Sequence, residues 1–238
     1  MALPIIQQPI HKITLPILKK EISFRGFTIA EEKIFLTYSE ENKEKLNFSS
    51  FQNTLEQVLT NCTFGRININ TLPLADLEFL LLQIRKVSVG EYIETLHNCA
   101  ACEHENKIGI SLTSDISISE NKTVSTLIDI TDNIKINMTY PTIDILQTVE
   151  KIKSEGDYLK IIRDCCESVI EGESVIYLKD ETEESINDFL NSFNKETFAS
   201  IVNFFNGIPK VSLLKEYDCE KCNHHNKFQV EGLLDFFM

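Results

Sequence analysis

Four of the seven cysteines in this 238-residue chain fall in two matched phrases, CAACEHENK at 99–107 and CEKCNHHNK at 219–227. In register they pair Cys99 with Cys219, Cys102 with Cys222, His104 with His224, Asn106 with Asn226 and Lys107 with Lys227. A C-x-x-C pair in a tight turn between two strands puts both sulfurs on one side, about 3.5–4 Å apart. Two such turns facing each other supply four thiolates to one tetrahedral zinc, with Zn–S bonds of about 2.3 Å. Cys99, Cys102, Cys219 and Cys222 are therefore the expected ligands of a single structural zinc. The same sulfur set also suits iron. Such a closed site offers no open position for water. His104, His224, Lys107 and Lys227 are candidates to temper the thiolate charge from outside the ligand set, with solvated hairpin residues as the plainer reading. A thioredoxin-like redox pair predicts one C-x-x-C at a helix N-terminus in a βαβ unit, whereas both pairs here lie between strand-like segments. Buried thiols without a metal are the remaining alternative.

The other chemistry-bearing patterns are missing. No phosphate-binding glycine loop, dinucleotide fingerprint, H-E-x-x-H or nucleophile elbow occurs. The pairs Glu31-Glu32, Glu40-Glu41 and Glu183-Glu184 sit where helix first turns or exposed ends are expected, and read as dipole partners and solvated faces. We expect no enzyme and no small-molecule substrate. The net charge of -13 argues against affinity built on phosphate neutralisation, so no nucleic-acid partner is expected. A zinc-ribbon nucleic-acid-binding or transcription factor is the alternative function. The N-terminus lacks signal-peptide character and no apolar run reaches the roughly 18 residues that span a bilayer. A soluble, cytoplasmically made chain is expected, in which cysteines serve as thiols or metal ligands rather than disulfides.

The elements that would position the knuckles follow from periodicity. Residues 12–27 alternate as a hairpin. Thr28-x-x-Glu31 is a capping box opening a helix to about Glu41. Ser49 opens a second helix with Phe51, Leu55, Val58, Leu59 and Cys62 on its core face. Pro73 suits the first turn of a third, through Leu74, Leu77, Leu80, Leu81 and Ile84. Strands are expected at Tyr92–His97, Lys107–Leu112, Ser117–Ile118, Leu127–Ile130, Ile134–Met138, Val211–Tyr217 and Lys227–Val230. Helices are expected at Thr142–Lys153, Asp157–Ile170, Glu183–Phe193 and Lys195–Asn206, with Thr182 and Asn194 as N-caps and Gly207 as C-cap. On the Asp157–Ile170 helix Cys165 and Cys166 would point roughly 100° apart, one to the core and one to the periphery.

The fold class is thus α+β: an N-terminal hairpin plus helices, a zinc-ribbon-like pair of Cys knuckle hairpins, and an inserted β/helical subdomain. The boundaries read as 1–87 for the hairpin and helical region, 88–113 with 208–232 for the ribbon, 114–207 for the insert, and 233–238 for an apolar tail that should dock. Loop closure costs grow slowly with length, so a metal clip tolerates so long an insert.

The order of phrases ISFRGFTIAEEKIFL (22–36), LEQVLTNCTF (55–64), LPLADLEFLLLQIRKVSVGE (72–91), the first knuckle and FNGIPKVSLLKEYDCEKCNHHNKFQVEGLLDFF (205–237) resembles a family. It is similar to the small baseplate-hub subunits and hub assembly proteins of T-even-type contractile-tailed bacteriophages. The resemblance rests on Arg25, Phe27, Glu31, Glu32 and Lys33, then Leu72, Pro73, Asp76, Glu78, Leu80, Leu82, Arg85, Ser88, Gly90 and Glu91. Many members carry Gly after the second Cys of a knuckle, where this chain has Glu103 and Asn223. The resemblance implies contacts with other baseplate hub proteins, as a hub component or assembly chaperone, in the host cytoplasm during assembly and in the virion tail baseplate if retained.

Overall fold

The computed structural model describes residues 3–4, 6–42, 47–119, 125–145, 148 and 158–231. The chain is mixed α+β, with six α-helices and several small antiparallel sheets among those residues. It divides into two compact units, one of residues 1–119 with 210–238 and the other of residues 120–209.

In the first unit, β1 (His11–Thr14) and β2 (Glu21–Phe24) pair antiparallel. Their turn closes with Leu15 N donating to the Lys20 carbonyl and Lys19 N to that of Leu15. The turn is held by Asp76, whose buried carboxylate accepts from Ile17 N at 2.6 Å and Leu18 N at 2.9 Å. Helix α1 (Ile29–Glu41) begins at the Thr28–Glu31 capping box. Glu31 also takes both guanidinium nitrogens of Arg25 at 3.0 Å and Asn61 Nδ2 at 3.2 Å. Burial opposes ionisation of Glu31, but the Arg25 and Thr28 hydrogen bonds outweigh it and hold the carboxyl at about 2.

Helix α2 (Phe48–Cys62) starts one residue before the expected Ser49, because Asn47 caps it by accepting from Ser50 N. Its Phe51, Leu55, Val58, Leu59 and Cys62 are buried. Cys62 is a core thiol that burial pushes up to about 12. Helix α3 (Leu74–Val89) follows Pro73 and adds Leu77, Leu80, Leu81 and Ile84 to that core. Ser88 ties it to the hairpin's exit: its Oγ accepts from Phe27 N at 2.6 Å and donates to the Ile84 carbonyl. A Cβ on Gly26 would lie 3.0 Å from that Oγ, so the close approach favours glycine.

Beyond Gly90, β3 (Tyr92–Asn98) pairs with β4 (Glu105–Ser111), and β10 (Val211–Asp218) lies between β11 (His225–Glu231) and β5 (Ile116–Ile118). Leu82 of α3, Leu112 and Val211 form a buried cluster with Ile93, Ile116 and Ile118 against it. The chain leaves this unit at Ser119 and returns at Lys210. These two residues hydrogen-bond to each other, Ser119 N to the Lys210 carbonyl and Lys210 N to Ser119 Oγ. The long insert therefore enters and leaves at one point of the sheet.

The second unit is a four-stranded antiparallel sheet in the order β6 (Leu127–Asp129), β7 (Ile134–Met138), β8 (Cys166–Glu171), β9 (Ser174–Tyr177). Helices α4 (Tyr158–Cys165), α5 (Glu183–Asn191) and α6 (Lys195–Gly207) belong to it. Thr182 and Asn194 cap α5 and α6 through Ser185 N and Thr197 N, as expected. Gly207 is the last helical residue rather than the cap, which is Ile208.

The expected helix over Asp157–Ile170 is corrected. Helix stops at Cys165 and Cys166–Glu171 is a central strand, pairing Val169 with Ile136 and Ile176. Val169 and Ile170 suit a half-buried pleat, and pairing on both sides outweighs the helical pattern. Cys165 and Cys166 are both buried, not one inside and one peripheral, and burial raises them to about 12 and about 11. Strand β9 was not anticipated from the sequence. Most of the expected helix Thr142–Lys153 and the apolar tail 233–238 lie outside the described residues.

Candidate metal centre

Each knuckle is built by the same local bonds. Cys99 N donates to the His104 carbonyl and Glu103 N to the Cys99 carbonyl, both at 2.9 Å. Cys219 N donates to the His224 carbonyl and Asn223 N to the Cys219 carbonyl, again at 2.9 Å. The turn requires a left-handed residue after the second Cys: φ is 55° at Glu103 and 55° at Asn223. These positions adopt the backbone that glycine takes most readily. The returning strands begin at Glu105 and His225, two residues earlier than expected, so the hairpins are tighter.

The hairpins bring the four sulfurs of Cys99, Cys102, Cys219 and Cys222 within 4.8 Å of one another. The cross pairs Cys99–Cys222 and Cys102–Cys219 are each 3.7 Å apart. This is too long for a disulfide of about 2.05 Å. It matches the roughly 3.8 Å edge of a tetrahedron with bonds of about 2.3 Å to a central ion. Cys99 and Cys219 are buried, Cys102 is half-buried and Cys222 is exposed.

The sulfurs sit among N–H donors. Burial opposes ionisation of Cys99, but the N–H groups of Ala101 and Cys102, with Asn226 and Cys222, outweigh it and bring the thiol to about 6. Burial likewise opposes ionisation of Cys219, which is nonetheless lowered by the N–H groups of Cys222 and Lys221. At Cys222 the N–H of His224 favours the thiolate, but bonding with the other thiols pushes it up to about 12. Four thiolates side by side repel one another unless a cation joins them.

Asn106 and Asn226 are the residues that the sequence placed in register without a role. Both are buried. Each Nδ2 donates to its own knuckle's His carbonyl at 2.8 Å. Each Oδ1 crosses to the other knuckle: Asn226 to Ala100 N and Asn106 to Glu220 N, both at 3.0 Å. Asn226 Nδ2 also reaches Cys99 Sγ at 3.6 Å. The two asparagines thus form a reciprocal clasp. The signal was their exact recurrence in both phrases at positions that a bare C-x-x-C pattern does not require.

Behind the sulfurs, His97 Nδ1 meets Tyr217 Oη at 2.6 Å, and the His97 ring lies edge-on to Tyr217 and Phe228. The hairpins therefore share an aromatic contact as well as the clasp. His104 is half-buried and contributes its carbonyl to the knuckle; His224 contributes its carbonyl and N–H and has an exposed side chain. Lys107 is exposed and pairs with Glu94 at 2.6 Å, and Lys227 is exposed. His225 bonds Asp218 at 2.9 Å on the surface, which raises its pKa.

The family positions are structural as well. Arg25, Glu31, Asp76 and Ser88 all knit the N-terminal hairpin to the helices. Among the described residues no helix is long and apolar enough to cross a membrane. Comparison with curated proteins gives no match, and neither does comparison with solved structures. The family model described as T4 bacteriophage base plate protein matches residues 8–238, which take in the hairpin, the helices, both knuckles and the insert. The chain belongs to the T4 bacteriophage base plate protein family.

Proposed function

We propose that this base plate protein works in the tail hub by contacts with other hub proteins, as a hub component or an assembly chaperone, and catalyses no reaction. A single structural zinc on Cys99, Cys102, Cys219 and Cys222 would clip together two hairpins more than a hundred residues apart. The observation that carries the metal reading is the set of four sulfurs within 4.8 Å. Four soft donors that form a closed set fit zinc, and also iron, better than a hard cation. When bound, the ion supplies positive charge and cross-linking. The chain's own residues supply the rest: N–H groups temper the thiolates, and the asparagine clasp holds the two turns face to face.

The chain would act in the host cytoplasm during assembly and at the virion tail if it is retained. Elemental analysis of the purified protein should find about one zinc per chain; folded, metal-free protein would overturn the clip. Quantitative mass spectrometry of virions and infected-cell lysate separates the two base plate roles. A fixed copy number per particle indicates a hub component, and presence only in lysate and assembly intermediates indicates a chaperone. No association with base plates at any stage, together with salt-sensitive binding to DNA or RNA, would overturn the reading.

A further inference from the structure

Strand β9 is the outer strand of its sheet, and among the described residues nothing pairs with its free edge. All four of its residues are exposed, with Val175 at 50%, Ile176 at 37% and Tyr177 at 44%. Sheets usually guard such an edge with Lys, Pro, a bulge or a covering element. Ser-Val-Ile-Tyr has no charge, no Pro and strong strand formers. Beside it a cavity of about 220 Å³ is lined by Ile134, Val169, Ile176, Leu178, Ile186 and Phe189. An extended chain added to β9 could place one large apolar side chain there.

The charge around this edge indicates what would add. Glu171 and Glu181 stand at the cavity, and Glu173, Asp180 and Glu184 are exposed beside them in sequence. Among the described residues none of these five has a salt-bridge partner. Glu183 is held by Arg163, and Lys179 lies over the Tyr177 ring. A second copy is a poor occupant: antiparallel pairing of β9 with itself would set the acidic flank at one end of each strand, Glu173, alongside the flank at the other end of its partner, Asp180 and Glu181. Like charges across such an edge oppose association, and opposite charges favour it.

We infer that the β9 edge is a strand-addition site for an extended, Lys/Arg-bearing segment of another base plate protein, one apolar side chain of which fills the cavity. Main-chain hydrogen bonds to β9 provide affinity, and the cavity with its acidic rim provides selectivity. This rests on the base plate reading above.

The test is photo-crosslinking during infection, with p-benzoylphenylalanine in place of Tyr177, followed by peptide mapping in purified base plates and assembly intermediates. The expected product joins position 177 to a Lys/Arg-rich segment of a different protein. In parallel, Ile176→Glu and Val175→Glu should each lower incorporation at least tenfold while leaving the melting transition in place. A crosslink to a second copy or to an acidic segment overturns the inference. So does the lack of any crosslink where the chain is present, or full incorporation of both variants. Absence of the chain from base plates and all their intermediates instead overturns the base plate reading, and the inference with it.

Discussion

Two clusters of ionisable side chains in the first unit are built by opposite means. Around Glu31 the chain carries both signs: Arg25 grips the carboxylate with two nitrogens, and Thr28 and Asn61 fill its remaining lone pairs. That cluster is complete in itself. Around Cys99 the chain supplies only acceptors of one sign once the thiols ionise, tempered by N–H groups and an asparagine clasp. On the zinc proposal, a cation would complete that cluster. The difference explains why the first needs only local sequence, from Arg25 to Glu31 and one contact from α2, while the second needs two distant hairpins. A closed ion pair is assembled by the fold; a metal-filled thiolate site, as proposed, would join parts of the fold together.

The comparison is tested first at the thiolates. Cys102→Ser or Cys222→Ser should release the metal and destabilise the unit by several kcal/mol, on the order of the larger single-residue losses known for metal sites; zinc content and thermal melting measure it. A mutant that keeps full zinc occupancy would contradict the four-sulfur site. Arg25→Ala should cost about 3 kcal/mol, because it leaves the Glu31 carboxylate buried without its partner. The paired variant Arg25→Met, Glu31→Leu should recover much of that loss in denaturant unfolding.

The clasp comes next. Asn226→Ala should cost about 1–3 kcal/mol, the range for stranding buried partners, and speed zinc release to a chelator. Asn106→Ala should destabilise similarly but release zinc more slowly, since it is Asn226 that donates to Cys99 Sγ. Equal release rates would remove the special role of Asn226. The pH response distinguishes the clusters further. Glu31 is held at about 2 against an ordinary 4.5, so its stabilisation is fully present above 4.5 and lost as pH falls toward 2. Acid unfolding of the Arg25→Met, Glu31→Leu variant should lack that component. The smallest effect is at the turns. Glu103→Gly should stabilise by about 0.5–1 kcal/mol by relieving the left-handed strain, and Asn223→Gly by less, because Asn tolerates that conformation better.

Much of the fold is legible because its signals are local. The capping box at Thr28, the caps at Thr182 and Asn194, the core stripe of α2 and the strand Ile134–Met138 each depend on residues a few positions apart, and each forms as read. The paired knuckles are legible because the chain repeats one hydrogen-bonded turn, and the repeat itself marks the two halves. The register of the asparagines was visible too, but its meaning was not: one phrase cannot show that its Asn will serve the other.

Residues 158–171 show where local reading ends. Their apolar spacing suits a helix, and half of it is one; the remainder becomes a strand because β7 and β9 offer hydrogen bonds and apolar neighbours on both sides. Asp76 shows the same limit, since nothing near it in sequence announces the turn at Ile17 and Leu18 that it holds. The sequence by itself determined the N-caps of α1, α5 and α6, the amphipathic faces, the two sulfur-bearing turns and the acidic balance, all set by neighbours along the chain. Only the tertiary structure decided that Cys166–Glu171 is a strand, that the asparagines cross, and that Asp76 holds the first hairpin turn, because each depends on contacts between segments that the chain order keeps apart.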